Sequence, residues 1–207
     1  MTNFSLDFTR VNGVYAWMKL NMPYDYSTII KELENESGWQ LDNPEWYPDG
    51  KRYKCYSPSS SILNEIRNFF GSDAARRILC ENAVKHFPGI PGGRWLMNAD
   101  QLFECTSSHC EFNRDLPGFE QYIHVDFKFL LCTGFIYLTN HDDPLVSSYF
   151  YDDRHGANPQ RATTEFGNGW LAFNDHDSWH SGGNLSDYTR YSMLVGLTLM
   201  KNPLFTT

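Results

Sequence analysis

The stretch QYIHVDFKFLLCTGFIYLT, residues 121–139, consists of two apolar, aromatic-rich runs on either side of Lys128. Runs of this composition favour a half-buried sheet, so they predict strands at 121–127 and 129–139. Runs of the same kind predict further strands at 94–105, 147–152, 162–166, 169–174, 178–181 and 189–200. Many short strands separated by Gly, Asn, Asp and Pro are typical of a β-sandwich or a β-barrel.

The chain before residue 94 has a helical pattern instead, in which Ile29, Ile30 and Leu33 recur at helical spacing. Helices are expected at 23–40, 59–70 and 72–86, with a loop rich in Pro, Asp, Trp and Tyr at 41–58. The apolar faces of such helices need a sheet to cover them. We therefore expect one domain over residues 1–207, with a helical support at about 23–87 and a β-rich core at about 94–200.

The charge and the cysteines limit the possible partners and compartments. The 207 residues carry a net charge of -8, and the densest basic spot is Arg76–Arg77. An acidic chain repels phosphate backbones, so we expect no nucleic-acid partner. The five cysteines include no C-x-x-C pair, which is typical of reduced thiols in a cytoplasmic protein, although Cys105 and Cys110 could pair. Met1–Val11 lacks the apolar core of a signal peptide, and no long apolar run predicts a membrane contact.

Within the quoted stretch, His124-x-Asp126 is the pattern that indicates chemistry. Residues i and i+2 of a strand point to the same face, so an imidazole and a carboxylate lie side by side. His180 is the best candidate for a third ligand, because it precedes a Gly-Gly pair where a strand is expected to end at a barrel rim. Two imidazoles and one carboxylate form the facial triad suited to Fe(II), which leaves positions for a chelating cosubstrate and O₂.

A candidate anchor for a carboxylate follows that histidine. Arg190 lies ten residues after His180, and Ser192 shares its strand face. A guanidinium beside a hydroxyl fits a carboxylate through a bidentate fork and one further hydrogen bond. The residues after Ser192 are apolar, so Arg190 is expected in the core, where a charge needs a partner. Arg190 then either binds the far carboxylate of a dicarboxylate cosubstrate or pairs with Asp187 or another acid.

The series His124-x-Asp126, His180 and Arg190-x-Ser192 resembles the signature of the Fe(II)/2-oxoglutarate-dependent oxygenases, and the resemblance covers about residues 90–200. It implies a double-stranded β-helix, a jelly-roll or cupin-like barrel, flanked by helices. It also implies Fe(II), 2-oxoglutarate and O₂ as cofactor and cosubstrates. The implied activity is that of a dioxygenase that hydroxylates a small molecule, an amino acid or a peptidyl residue and releases succinate and CO₂.

Two details refine this resemblance. The stretch CTGFIYLTN, residues 132–140, resembles the strand that follows H-x-D in prolyl-hydroxylase-like members. In those relatives the tyrosine that matches Tyr137 can contact the carboxylate of 2-oxoglutarate, and a role as a core aromatic is the alternative. Halogenases of the superfamily carry a small residue in place of Asp126, so its presence favours hydroxylation.

Two rival interpretations stay open at this stage. A cupin-like metalloenzyme would share the barrel without using 2-oxoglutarate, but such sites usually show H-x-H, which this chain lacks. A non-catalytic jelly-roll binding module would consume no 2-oxoglutarate in the presence of Fe(II).

Other polar residues near the expected site have less defined roles. His176, four residues before His180, could contact substrate, and Asp175 or Asp177 could orient a ligand imidazole. The loop-rich segment 139–168 has the length of a lid. Its charged residues, which could select a charged substrate or lie in solvated turns, are Asp152, Asp153, Arg154 and Arg161.

Overall fold

The computed structural model describes residues 4–12, 15–86, 98–126, 130–140, 142–173 and 177–200. The strands are β1 (Ser5–Asn12), β2 (Tyr15–Asn21), β3 (Gln40–Leu41), β4 (Arg52–Cys55), β5 (Thr106–Asp115), β6 (Phe119–His124), β7 (Leu130–Tyr137), β8 (Ser148–Phe150), β9 (Gln160–Arg161), β10 (Asn168–Phe173), β11 (His180–Asn184) and β12 (Arg190–Leu199). The helices are α1 (Tyr26–Asn35), α2 (Ser61–Phe70), α3 (Asp73–His86) and α4 (Ala99–Cys105), and a short 3-10 helix spans Pro144–Val146.

These strands form two antiparallel sheets. The larger sheet has the order β1-β2-β10-β7-β12-β5-β4-β3, and the smaller sheet has the order β6-β11-β8-β9. The expectation of a mainly β fold with helices in its N-terminal half is thereby confirmed.

Alternation along β7 shows how the larger sheet separates two apolar layers. Ile136 and Leu138 belong to the core shared with the helices, whereas Phe135 and Tyr137 belong to a second cluster that also includes Phe150 of the smaller sheet. Successive strand residues point to opposite faces, so this period of two is what a sheet covered on both sides requires. The two sheets therefore face each other across an aromatic layer, and the helices pack on the outer face of the larger sheet.

The three helices expected in the N-terminal half are present, but the first one is shorter than 23–40. It starts after Asp25, whose carboxylate accepts a hydrogen bond from the Thr28 N–H at 2.8 Å. It ends at Asn35 because Glu36, buried with 6% exposed, turns away and accepts hydrogen bonds from the backbone of Gly38 and Ser59. Burial of Leu33 and its apolar neighbours against the sheet holds the helices in place.

The expectation of a strand at 94–105 is wrong for residues 99–105, which form α4, while 94–97 lie outside the described residues. Asn98 caps this helix: its side chain accepts from the Gln101 N–H, and the Gln101 side chain accepts from the Asn98 N–H. This reciprocal pair is a capping box, a local signal that outweighs the aromatic content of the segment.

Several strands lie where no strand was expected. They are β1 and β2 at the N-terminus, β4 within the expected loop 41–58, and β5, which follows α4 directly. Of the expected strand at 162–166 only the neighbouring two-residue β9 is present. The sequence of β5, TSSHCEFNRD, is too polar to show the apolar alternation of a strand, although it pairs with β12 over ten residue positions.

The described helices all fall short of the length and apolar character needed to span a membrane. The five cysteines are free thiols, so the pairing of Cys105 with Cys110 is absent.

Replacing Asn98 by Ala is expected to lower the free energy of unfolding by about 1 kcal/mol, because the first turn of α4 loses its cap. Urea denaturation measures the change. Glu104→Ala, at an exposed position of the same helix, is the control and should change stability by less than about 0.5 kcal/mol. Equal stabilities for the two variants would contradict the assignment of a capped helix.

Candidate metal centre

Three side chains from two strands converge at one edge of the smaller sheet. His124 is the last residue of β6, His180 is the first residue of β11, and the two are direct partners in the antiparallel register. Asp126 lies two residues beyond the end of β6. One donor atom from each of the three lies within 4.8 Å of the others, and the two imidazole centroids are 4.3 Å apart. The three residues that the sequence singled out are therefore neighbours in space.

The hydrogen bonds that the imidazoles donate from Nδ1 direct their Nε2 atoms toward the carboxylate. Nδ1 of His124 donates to the Tyr122 carbonyl at 2.8 Å, and Nδ1 of His180 donates to the Ser178 carbonyl at 2.9 Å. A neutral imidazole that donates from Nδ1 carries its lone pair on Nε2. The Nε2 atoms lie 3.5 Å and 3.7 Å from the two oxygens of Asp126. Backbone carbonyls, rather than Asp177, orient the rings.

Burial and mutual interaction shift the pKa values of the three side chains. Burial lowers the pKa of His180. Burial also opposes a charge on His124, but its hydrogen bond with Asp126 outweighs this effect and raises the pKa of His124. Burial would raise the pKa of Asp126, but the two imidazoles outweigh this effect and lower its pKa overall. Oδ2 of Asp126 is buried without a hydrogen-bond partner among the described residues. An ionised carboxylate with an unused oxygen beside two Nε2 lone pairs is the donor set of a 2-His-1-carboxylate site.

The local sequence explains why these strands can meet. Gly182 and Gly183 lie inside β11 rather than in the turn expected after His180. A Cβ atom on Gly183 would approach the Phe119 carbonyl oxygen of β6 to 3.1 Å. Glycine at this position thus permits the close pairing of β11 with β6 that brings the two histidines together.

A cavity of about 460 Å³ opens beside these residues, between the two sheets. Its inner wall includes Phe135, Trp170 and Leu194, and Trp46 and Tyr122 lie at exposed positions of its lining, 56% and 79% exposed. The volume lies in the range of small-molecule sites in proteins.

Arg190, expected to be a core arginine with a partner, lies in the cavity wall and is 1% exposed. Its partner is Asp115 of β5, not Asp187: Nε lies 2.9 Å from Oδ2 of that carboxylate. Its Nη1 donates to the carbonyls of Val146 and Gly183 at 2.8 Å and 2.6 Å. Most donors of this guanidinium are therefore engaged within the protein.

The other two expected cosubstrate contacts lie in the same row of the larger sheet, opposite each other. Oγ of Ser192 is buried and has no hydrogen-bond partner among the described residues. The hydroxyl of Tyr137 donates to Oγ of Ser148 at 2.7 Å and accepts from its N–H at 2.9 Å. Ser148 belongs to the described lining of the cavity, whereas Tyr137 and Ser192 do not.

Sequence reasoning missed three buried residues beside the cavity: Arg52, Asn113 and Asp115. Arg52, on β4, binds Asp115 through Nε at 2.7 Å and Nη2 at 3.1 Å. Arg52 falls within the segment expected to be a loop, and its partner is 63 residues away. No short sequence motif predicts the pairing of Arg52 with Asp115, because the pairing depends on the register of the strands.

The remaining candidates do not reach the described cavity lining. The carboxylate of Asp153 accepts a hydrogen bond from the His155 N–H at 2.8 Å, within its own turn. Arg161 forms an ion pair with Asp142 at 2.7 Å. Asp152 and Arg154 are likewise absent from the described lining of the cavity. Asp175 and His176 lie outside the described residues.

Comparison with known proteins places the fold. No family model matches the sequence, and no curated protein matches it. Among solved structures, a prolyl-4-hydroxylase from Pseudomonas putida is 10% identical with a TM-score of 0.59, over 89% of this chain and 92% of that one. A prolyl hydroxylase from Trichoplax adhaerens, in complex with a hypoxia inducible factor peptide fragment, is 10% identical with a TM-score of 0.60, over 94% and 87%.

A third similar structure is HygX from Streptomyces hygroscopicus with nickel, 2-oxoglutarate and hygromycin B bound, at 12% identity and a TM-score of 0.54. The alignment covers 90% of this chain and 83% of HygX. At such low identity the similarity concerns the fold. The resemblance seen in the sequence is confirmed at that level: the chain has the fold of the 2-oxoglutarate–Fe(II) oxygenases.

Proposed function

We propose that this protein is an Fe(II)- and 2-oxoglutarate-dependent dioxygenase that hydroxylates a small molecule, an amino acid or a peptidyl residue. One observation carries the proposal. A metal-ligating set of His124, Asp126 and His180 and the guanidinium of Arg190 line the same cavity. A ligand that chelates a metal at one end and carries a carboxylate at the other matches that arrangement.

The strand order supports a double-stranded β-helix as the architecture. In the larger sheet the central strands run β10-β7-β12-β5, and the smaller sheet runs β6-β11-β8-β9. After β5 the chain passes back and forth between the sheets: β6 joins the smaller, β7 the larger, β8 and β9 the smaller, β10 the larger, β11 the smaller and β12 the larger. Such alternation winds the chain around a central cavity, as in a jelly roll.

In the proposed enzyme, His124, Asp126 and His180 hold Fe(II), which with 2-oxoglutarate supplies the activation of O₂ and yields succinate and CO₂ as coproducts. The backbone carbonyls that accept from Nδ1 keep both imidazoles turned toward the metal. The amide nitrogen of Gln121 lies 3.0 Å from Nε2 of His124, and this contact would give way if His124 held a metal ion through Nε2. Phe135 and Trp170 keep the inner wall apolar and exclude water.

The cosubstrate is proposed to extend from the metal ligands toward Arg190 and Ser192. The unpartnered, buried Oγ of Ser192 supports this direction. Tyr137 is proposed to act through Ser148, because its hydroxyl holds the Ser148 side chain beside the cavity.

The ligands of the similar proteins indicate only a broad class of substrate. The Trichoplax adhaerens protein binds a peptide fragment, and HygX binds hygromycin B. In this chain the exposed rings of Trp46 and Tyr122 offer stacking surfaces at the lining, which suit a peptidyl residue or a compact ring. A cytoplasmic location stays a prediction, supported by the free thiols.

Removing one metal ligand tests the metal assignment directly. His180→Ala is expected to weaken anaerobic Fe(II) or Mn(II) binding by more than about 100-fold, since a direct ligand matters more than the supporting contacts. Calorimetry measures the affinity. His155→Ala, at an exposed histidine outside the cavity lining, should bind metal like the wild type. Unchanged metal affinity in His180→Ala would remove the assignment.

Consumption of 2-oxoglutarate tests the reaction. The wild type with Fe(II) and O₂ is expected to form succinate slowly without a prime substrate, and Asp126→Ala should abolish this formation because the metal loses its anionic ligand. Succinate is measured by mass spectrometry. Metal binding without 2-oxoglutarate binding would favour a cupin-like metalloprotein. Binding of neither would favour a non-catalytic module.

A stimulated rate of succinate release identifies the substrate. A panel of amino acids, proline-containing peptides and small metabolites is expected to include compounds that raise the rate above the uncoupled level. A rate that none of the panel raises would count against these substrate classes.

A further inference from the structure

Three charged side chains stand in one row across neighbouring strands of the larger sheet. Arg52 of β4 is opposite Asp115 of β5, which is opposite Arg190 of β12. They are 3%, 0% and 1% exposed. Direct cross-strand partners project to the same face, so both guanidiniums reach the one carboxylate. The row therefore contains two positive charges and one negative charge.

The arginines favour the ionised form of the carboxylate, and the carboxylate favours the charged form of Arg52. Burial alone would raise the pKa of Asp115, but the two arginines lower it overall. Burial opposes the charge on Arg52, and Asp115 outweighs that effect and raises the pKa. Within this row one positive charge is left in excess, and a further buried acid, Asp42, acts on Arg52 and on Lys54 of the next row. A buried charge is costly unless an opposite charge or hydrogen bonds compensate it, so the row is suited to receive an anion.

Arg52 has more unused donors than Arg190. Arg190 uses four of its five N–H groups on Asp115, Val146 and Gly183. Arg52 uses two on Asp115 and one in a long 3.4 Å contact with the hydroxyl of Tyr47. Its guanidinium carbon lies 4.1 Å from the centre of the Phe119 ring, which fixes its plane.

The next row along the same face supplies buried polar atoms without partners. Asn113 is opposite Lys54 on one side and Ser192 on the other. Both amide atoms of Asn113 and Oγ of Ser192 are buried without a hydrogen-bond partner among the described residues. Such atoms cost stability unless a ligand or water satisfies them. Arg52 and Asn113 both line the cavity that contains the metal ligands.

Lys54 also lines this cavity, but it is compensated already. Its ammonium lies 2.6 Å from Glu111 and 3.6 Å from Asp42. Neither of these acids is in the described lining of the cavity. The unused donors therefore belong to Arg52 and Asn113.

Arg52 is also linked to the metal ligands by a short chain of contacts. The hydroxyl of Tyr47 contacts Nη1 of Arg52 and accepts from the amide of Gln121 at 3.1 Å. The same amide nitrogen lies 3.0 Å from Nε2 of His124. Two side chains thus separate the guanidinium from a metal ligand.

We propose that Arg52 and Asn113 bind the far carboxylate of the dicarboxylate cosubstrate together with Arg190. Asp115 is the positioning residue that holds both guanidiniums. The inference rests on the proposed function, and it adds a binding residue from β4, outside the residues that carry the sequence resemblance.

Anaerobic calorimetry on the Mn(II)-loaded protein tests this with two ligands. 2-Oxoglutarate carries the far carboxylate, and 2-oxopentanoate has a methyl group in its place. Arg52→Gln is expected to weaken 2-oxoglutarate binding by about 10- to 100-fold, the effect of a lost charge-assisted hydrogen bond, and to leave 2-oxopentanoate within about twofold. The variant should fold, because Asp115 keeps Arg190 as a one-to-one partner.

Arg114→Gln is the matched control. Arg114 lies on β5 beside Asn113 and Asp115, but it points to the other face, where it stacks on Trp39 and Tyr53. It should bind both ligands like the wild type. If Arg52→Gln binds 2-oxoglutarate as the wild type does, or loses both ligands equally, the assignment of Arg52 is overturned while the proposed function stands. A wild type that binds Mn(II) but not 2-oxoglutarate overturns the proposed function itself.

Asn113→Leu gives a second test that a purely structural role would not pass. Removing two unsatisfied buried atoms should leave the midpoint of urea unfolding unchanged or raise it. The same change should weaken 2-oxoglutarate binding by about 5- to 20-fold through one lost hydrogen bond. A lower midpoint with unchanged affinity would assign Asn113 to the fold and overturn its part of the proposal.

Discussion

Burying the carboxylate of Asp115 would cost several kcal/mol if no positive charge compensated it. In this fold Arg52 and Arg190 do so from the strands on either side. The contact requires one register, because a slip by one residue would turn the side chains of a strand to the face covered by the helices. β4 has only four residues, and the ion pair of Arg52 with Asp115 is one of the contacts that match its register to β5, beside that of Lys54 with Glu111. The same contact sets the position of two guanidiniums at the cavity.

The two sheets contribute different chemistry to the cavity. The smaller sheet carries His124 and His180, and the larger sheet carries the charged row. The aromatic layer in which Phe135, Phe150 and Trp170 pack together joins the two sheets. Direct bonds join them as well, because Nη1 of Arg190 donates to the Gly183 carbonyl of β11 at 2.6 Å. Packing and hydrogen bonding together fix the spacing between the histidines and the arginines. The helices, on the opposite face, stabilise the larger sheet without entering the cavity.

The sequence predicted those features that depend on local patterns. The i, i+2 rule brought His124 and Asp126 together, and apolar runs marked most of the core strands. It failed where the determinant is non-local: the polar strand β5 and the short β4 owe their existence to pairing across the sheet. Since Arg52 and Asp115 are opposite only through that pairing, nothing in the local sequence joins them. The helix after Asn98 is a different case: its capping box is a local signal, but the prediction of a strand followed the aromatic content of the segment.

Charge balance explains why a ligand of this cavity would need a negative charge at each of its two ends. A divalent cation on two neutral imidazoles and Asp126 leaves one positive charge at the outer end. The row of Arg52, Asp115 and Arg190 leaves another at the inner end. A dianion with its charges at its two ends compensates both, whereas a monoanion leaves one buried charge unpaired. In a buried place such an imbalance is costly, so the proposed preference for a dicarboxylate would arise from both sheets together.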